Sequence, residues 1–127
     1  MGCHATYSPN GVDLRFASDV TGVEIYEANE NMYAHQYEGS LQYCVFDFTD
    51  AKSVVIDTTT IQRIAERDKL HLANRPEMIV AIVAPDPHVF GLARMWQAYV
   101  QGAHLQTLVL RSRDSAMEYL RDHGIEA

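Results

Sequence analysis

Residues 43–64 read YCVFDFTDAKSVVIDTTTIQRI, and this stretch decides the fold. Its beginning belongs to an apolar run over residues 41–48, which predicts a buried β-strand. A polar turn follows, and the segment DTTT at residues 57–60 then opens an amphipathic helix. A strand that leads through a capped turn into a helix is typical of α/β proteins.

The flanking sequence continues this alternation of strands and helices. A first strand is expected over residues 12–16, and Thr21 with Glu24 forms a capping box that predicts a helix start. Residues 78–84 are continuously apolar, as expected of a central parallel strand covered on both faces. The remaining expected elements are a helix over residues 88–101, a strand over residues 105–110, and a last helix that Ser112 caps and Gly124 ends.

This alternation predicts the α/β fold class, with a mostly parallel sheet of four to five strands and helices on both faces. A single domain is expected over residues 12–127, because no linker, internal repeat or low-complexity segment interrupts them. Residues 1–11 are expected to form a flexible N-terminal tail or an edge segment. A chain of 127 residues buries enough surface to fold without disulfide or metal support.

Composition narrows the classes of function. A net charge of −7 with only ten dispersed Lys and Arg argues against nucleic acid as a partner. Six scattered histidines lack metal-ligand spacing, and no glycine-rich phosphate loop is present, so neither a metal nor another cofactor is expected. No nucleophile elbow or recognisable Cys-His pair assigns a catalytic residue. The two cysteines and the lack of a long apolar run predict a cytoplasmic protein without stable membrane insertion.

The buried strand and the DTTT segment together resemble the signature of STAS domains, the family of anti-sigma factor antagonists and sulfate-transporter tails. In that signature a buried strand precedes an Asp-Ser-Ser-Gly-type turn at a helix N-terminus. With the downstream run MIVAIVAPDPHVFGLARMWQAYV at residues 78–100, the chain is similar to the small bacterial STAS-like branch over roughly residues 12–123. The resemblance implies a STAS-like topology, related to that of lipid-exchange proteins of the Sec14 type.

The resemblance also implies one candidate site. In the regulatory branch of the family, a partner kinase phosphorylates the second hydroxyl residue after the Asp, and this position matches Thr59. Its neighbours are Asp57, Thr58 and Thr60, of which Thr60 replaces the Gly of the family motif. A helix N-terminus suits a phosphate because it offers unpaired amides and positive potential. The alternative interpretation is that Asp57 or a threonine simply caps the helix, with Thr59 and Gln62 as a capping box.

A second candidate group lies on the helix expected over residues 88–101. Its apolar side is wider than one sheet face requires, because Phe90, Met95 and Tyr99 extend a core stripe that already includes Trp96. These four residues, Phe90, Met95, Trp96 and Tyr99, form the candidate group. Three interpretations stay open, namely ordinary core or helix–helix packing, a homodimer contact and an apolar-ligand pocket.

Four charged residues follow the expected strands at their carboxyl ends. They are Asp50, Asp86, Arg111 and Arg113. Open parallel sheets bind polar ligands at this edge, so these residues are candidates for a polar-ligand loop. The alternative is that each one is an ordinary solvated loop charge.

These observations favour a non-enzymatic regulatory or protein-interaction module of STAS-like type. Its expected partner is another protein or a second copy of itself, and its acidic surface favours basic partners. The first alternative is a small apolar-ligand, lipid-like binding domain. An enzyme of unrecognised type is the third class.

Overall fold

Strands and helices alternate along the chain in the computed structural model, which describes residues 2–126. The nine elements of this part of the chain are β1 (Cys3–Ser8), β2 (Gly11–Thr21), α1 (Gly22–Ala34), β3 (Tyr43–Val55), α2 (Thr58–Leu72), β4 (Met78–Val83), α3 (Pro87–Tyr99), β5 (Leu105–Leu110) and α4 (Arg113–Asp122). The chain is therefore a single small α/β domain, as the sequence predicts.

The five strands form one mixed sheet in the order β1-β2-β3-β4-β5. β1 is antiparallel to β2, and each later pair of neighbours is parallel. Parallel strand–helix–strand connections keep one hand as a rule, and three successive connections in one direction accordingly have α1, α2 and α3 on the same face of the sheet. Helix α4 follows the last strand and packs on the opposite face.

Side-chain alternation along β3 divides the core into two parts. Cys44 and Phe46 face the layer formed by α1, α2 and α3, whereas Tyr43 and Val45 face α4. All six residues of β4 are buried, so the prediction of a central strand covered on both faces is confirmed.

β2 and β3 are longer than the apolar pattern indicates. The pairing of β3 with β4 ends at Asp47 and Val83. Past this point, residues 17–21 of β2 and 50–55 of β3 continue to pair with each other. We call this extension the β2–β3 ribbon. Two irregularities in its register and a positive φ of 62° at Ser18 bend it away from an ideal ladder. Most residues of the ribbon are exposed and polar, so the sequence here lacks the alternation of apolar residues that predicts a strand.

The residues that were expected to form a tail or an edge segment lie at the margin of the sheet. Cys3–Ser8 form β1, which pairs with β2 through a tight connection at Pro9 and Asn10. The alternation of apolar and polar residues that predicts a strand is weak in β1, because most of its side chains are exposed.

The expected helix caps are present. Thr21 and Glu24 form the predicted capping box of α1, and Ser112 accepts a hydrogen bond from the amide of Ser115 in α4. Gly124, with φ of 78°, follows the end of α4 as predicted. Within residues 2–126, none of the helices has the length and apolarity needed to cross a membrane.

Candidate functional site

The threonine turn, formed by Asp57, Thr58, Thr59 and Thr60, begins helix α2 at the tip of the β2–β3 ribbon. Asp57 is the N-cap, and its Oδ1 accepts a hydrogen bond of 2.7 Å from the amide of Thr60. The hydrogen bonds from Thr60, aided by the charge of Arg63, lower the pKa of Asp57. Thr58 and Thr59 are exposed and take no part in this cap. Of the two alternatives for the cap, Asp57 or a threonine, the structure therefore has Asp57. The alternative capping box of Thr59 and Gln62 is not formed, and the Gln62 side chain instead donates to Tyr99.

The first turns of α1 and α2 lie against each other beside this site. A Cβ atom on Gly22 would lie 3.2 Å from Cγ2 of Thr60 and 3.0 Å from Cγ1 of Ile56. Such a contact is tight, so the absence of a side chain at Gly22 leaves room for Thr60. The threonine at a position where the resembled motif has glycine is thus accommodated by a glycine on the neighbouring helix.

Two apolar side chains are exposed near the threonine turn. Val55 ends β3 opposite Thr21 of β2, and Val23 lies in the first turn of α1, two residues after Thr21. Their exposed fractions are 71% for Val55 and 66% for Val23. The tip of the ribbon therefore combines exposed hydroxyl groups with exposed aliphatic surface.

Helix α3 distributes its four candidate residues over different environments. Trp96 is buried in the core, Phe90 and Tyr99 are half-buried, and Met95 is 36% exposed. The Tyr99 hydroxyl accepts a hydrogen bond of 3.2 Å from the side chain of Gln62 on α2. Much of the apolar excess on α3 is therefore buried within the domain. A homodimer contact through α3 stays a prediction, and Met95 has the largest exposed fraction of the four candidates.

An apolar cavity of about 70 Å³ lies between the sheet and the three helices α1, α2 and α3. Its walls come from both layers, with Phe46 and Ile82 from the sheet and Ile61 and Val89 from the helices. Of the four candidates on α3, only Trp96 lines it. Its lining is apolar except for Asn29, so water finds few hydrogen-bond partners there.

A buried carboxylate lies near the other end of the same helices. Asp68 on α2 is 2% exposed and accepts three hydrogen bonds. Its Oδ1 accepts from Nδ2 of Asn29 and from the hydroxyl of Tyr33, both on α1 and both at 2.9 Å. Its Oδ2 accepts from Nε1 of Trp96 on α3 at 2.8 Å. We call these four residues the Asp68 cluster, which joins all three helices of one layer.

Burial and hydrogen bonding act in opposite directions on the Asp68 carboxyl group. Burial raises its pKa, and the hydrogen bonds from Asn29, Trp96 and Tyr33 offset only part of that increase. The Asp68 carboxyl group therefore holds its proton more tightly in the folded chain than in the unfolded chain. As the pH rises from the ordinary carboxyl pKa through the raised pKa of the folded state, the free energy of unfolding therefore falls.

A second polar group continues from the Asp68 cluster to the surface. Glu30 on α1 accepts a hydrogen bond of 2.7 Å from Nη2 of Arg67, and Nε2 of His71 lies 3.3 Å from its other oxygen. The ring of His71 stacks on Tyr33 with 4.1 Å between centroids. The bond to Arg67 lowers the pKa of Glu30 despite partial burial. These contacts give α1 and α2 a second polar connection.

The four candidates for a polar-ligand loop have separate roles. Asp86 caps α3 through the amides of His88 and Val89, and Asp50 lies within β3 rather than in a loop. The guanidinium group of Arg111 lies 4.6 Å from the centroid of the Phe90 ring. Together they do not form one cluster of free polar groups.

Arg113 connects α4 to the sheet. It forms ion pairs with Asp13 of β2 and Asp47 of β3, and the distance to Asp47 is 2.7 Å. Burial raises the pKa of Asp47, but hydrogen bonds from Thr49 and Arg113 outweigh it, so that the pKa lies below the ordinary value. The charge of Arg113 is therefore already neutralised by two carboxylates.

Metal-ligand clusters and activated thiols are both absent from residues 2–126. No three His, Cys, Asp or Glu side chains in this range come together in a group that could hold a metal ion. Burial raises the pKa of Cys44 well above the ordinary thiol value, and it also raises that of Cys3. Both thiols are therefore held in their protonated, less nucleophilic form.

Comparison with known proteins gave no relative: no family model, no curated protein and no solved structure matched the chain.

The Asp68 cluster is the feature that the sequence interpretation missed. Its signal is visible in the helical pattern, because Asp68 occupies the same stripe as Ile61, Ile64, Ala65 and Leu72. A charged residue on an otherwise apolar stripe indicates a buried polar contact. The pattern could not identify the partners, which belong to two other helices.

The hydrogen bond between Asp68 and Trp96 gives a specific prediction. Asp68→Asn places an amide donor against the indole N–H, so we expect the free energy of unfolding to fall by about 2 kcal/mol. Trp96→Phe removes the indole donor, and this second substitution should therefore cost less when it is combined with Asp68→Asn. A double-mutant cycle by urea unfolding should give a coupling of about 1 kcal/mol or more.

The matched control is Asp122→Asn, which changes an exposed aspartate at the end of α4. We expect it to alter the free energy of unfolding by less than about 0.5 kcal/mol. Additive effects of Asp68→Asn and Trp96→Phe would contradict the role assigned to their hydrogen bond.

Proposed function

We propose that this chain is a non-enzymatic regulatory protein-interaction module of STAS-like type. The observation that carries the proposal is the threonine turn, where Thr59 stands exposed at the start of α2 without serving as its cap. Since Asp57 already caps the helix, the hydroxyl group of Thr59 is available to a kinase. The fold supports the same proposal, because a strand and the helix that follows it present this turn at the tip of the domain.

The physical chemistry of the turn suits a phosphorylation switch. A phosphate on Thr59 would lie at a helix N-terminus, where amides and the helix dipole stabilise negative charge. It would add about −1.5 to −2 charges to a tip that already holds the carboxylate of Asp57. A partner surface that contacts this tip would therefore gain or lose affinity according to its own charge.

Exposed aliphatic surface beside the turn supports a contact with another protein. Val23 and Val55 flank the tip and expose most of their side chains. A partner that covers them would gain affinity from burial of apolar area, roughly 25 cal/mol per Å² before the costs of association. Modification of Thr59 would then act at the margin of an apolar contact.

Substitutions at the threonine turn test this proposal. Thr59→Glu should leave the melting temperature within about 2 °C of the original, because a carboxylate is tolerated at a helix N-terminus, yet it should change the affinity for the protein recovered by pull-down. Thr59→Ala should have little effect on stability. Asp57→Ala removes the cap and should lower the melting temperature by about 3–5 °C.

Thr58→Glu is the matched control for charge, since it introduces the same group one position earlier in the same exposed turn. Mass analysis of the protein from its native host should also detect phosphate on Thr59. Unmodified Thr59 in the host, together with an unchanged affinity in Thr59→Glu, would refute the switch.

Binding of a small apolar molecule is the second candidate function, and the cavity beside Trp96 favours it. The volume of about 70 Å³ is roughly half that of an engineered cavity known to accept benzene. A ligand of that size would therefore need the N-terminal half of α3 to move outward. The Asp68 cluster would meanwhile hold the other end of the helix.

Trp96 is the single tryptophan of the chain, so its fluorescence reports directly on this cavity. If the cavity binds apolar molecules, titration with benzene should shift the Trp96 emission in a saturable way. Ala93→Val adds two methyl groups to the cavity wall and should abolish the shift at a modest cost in stability. A shift that is linear in benzene, or one that Ala93→Val leaves intact, would argue against this function.

A further inference from the structure

The outer edge of β1 lacks the sequence features that usually protect edge strands from pairing with other chains. β1 reads CHATYS and has no Lys, Pro, Asp or Glu, and in the part of the chain that the structure describes β2 is its only strand neighbour. Natural sheets usually block such edges with charge, proline or a bulge, because an open edge pairs with other strands. Retention of an open edge therefore indicates a use for it.

The opposite edge of the same sheet is treated differently. Gln97 on α3 extends over β5, where its Nε2 donates to the carbonyl oxygen of Thr107 at 3.3 Å and to its Oγ1 at 2.8 Å. The Gln97 side chain therefore hydrogen-bonds to a carbonyl oxygen that an added strand would need as an acceptor. The contrast between the two edges indicates that β1 is the edge at which a strand can be added.

The pairing of β1 with β2 defines which backbone groups are free. The amide of Ala17 donates to the carbonyl oxygen of Gly2 at 2.7 Å, and the register continues through the pair of Cys3 with Phe16. Hydrogen-bonded and non-hydrogen-bonded pairs alternate in an antiparallel ladder. The N–H and C=O groups of Cys3, Ala5 and Tyr7 therefore point outward from the sheet.

The side chains of these residues line a groove between β1 and α1. The groove has a volume of about 250 Å³, and Glu24, Glu27 and Asn31 form its wall on α1. The carboxylate of Glu24 is engaged by the amides of Gly2 and Thr21, whereas Glu27 is exposed. An added strand would direct every second side chain into this groove, toward Glu27.

We propose that the β1 edge binds an extended, basic segment of another protein by antiparallel β-strand addition. Charge selects this occupant over a second copy of the chain. Each copy has a net charge of −7, and two copies joined at β1 would bring two acidic α1 walls to one shared surface. Lys or Arg at alternate positions of a partner strand would instead face Glu27.

Aromatic residues near one end of the groove favour the same chemistry. Tyr7 lines the groove and stacks on His35 with 3.7 Å between ring centroids, and Tyr37 lies 6.2 Å from Tyr7. Aromatic faces attract Lys and Arg side chains. This surface is independent of Thr59, so its test can fail while the proposed switch stands, and the reverse also holds.

The test uses the capped peptide Thr-Lys-Val-Lys-Val-Lys-Thr and two N-methylated forms. In antiparallel strand addition, the Lys residues that enter the groove lie opposite Cys3, Ala5 and Tyr7 and direct their N–H groups toward β1, while the Val N–H groups point away. N-methylation of the three Lys residues should therefore weaken binding at least tenfold. N-methylation of the two Val residues should change it less than about twofold. Calorimetry at low salt measures all three affinities.

Variants of the protein give a second readout. Ala5→Pro removes one outward N–H while leaving the ladder to β2 intact, and should weaken binding about fivefold. Glu27→Gln should weaken it by about twofold to fivefold and reduce its salt dependence. The matched control Glu118→Gln, which changes an exposed carboxylate on α4, should have no effect. Peptide binding should also protect the amides of Cys3, Ala5 and Tyr7 from hydrogen exchange.

Three results would overturn the proposal. Equal affinity for both N-methylated peptides would show that charge alone attracts them. An absence of binding at millimolar peptide would show that the edge is closed. A dimer in light scattering that Ala5→Pro converts to monomer would identify a second copy as the occupant.

Discussion

The hydrogen bonds to the buried Asp68 carboxylate are the constraint on which the helix layer depends. α1, α2 and α3 all lie on one face of the sheet, and apolar packing alone would allow them to slide relative to one another. Three directed hydrogen bonds from Asn29, Tyr33 and Trp96 fix their relative positions. A buried carboxylate tolerates few alternative arrangements, because loss of a donor leaves part of the buried charge unsatisfied.

The two ends of this layer consequently differ. The Asp68 cluster holds the C-terminal halves of α1, α2 and α3. The apolar cavity extends from Asn29 and Trp96 of this cluster toward the N-terminal ends of the helices, where the exposed threonine turn begins α2. Helix α4 is attached on the other face by different means, through Ala116 and Leu120 in the core and through Arg113 with Asp13 and Asp47. Both proposed contact surfaces thus lie at the periphery of the domain, the threonine turn at the tip of the ribbon and β1 at the edge of the sheet.

Local sequence patterns predicted the parts of the fold in which burial follows regular periodicity. The apolar run of β4 and the caps at Thr21 and Ser112 could be predicted because each depends on residues near in sequence. For α2 the sequence predicted a cap but left Asp57 and the threonines as alternatives. β1 and the β2–β3 ribbon lie largely in solvent, so their polar residues carry no clear period. Within the candidate sites, the cap at the start of α2 accounts for the exposed position of Thr59. The contacts of Trp96 with Asp68 and of Arg113 with Asp13 could not be predicted from local patterns, because they join residues 28 and 100 positions apart.

The measurement that tests this account most directly is hydrogen exchange of the indole N–H of Trp96, followed by NMR on the native protein. If this group is held by Asp68 within the helix layer, its exchange should require an opening nearly as costly as that of the β4 amides, the most buried strand of the sheet. Asp68→Asn should then accelerate the indole exchange far more than that of β4. Exchange at the rate of a solvent-exposed indole in the unsubstituted protein would contradict the central role given to Asp68.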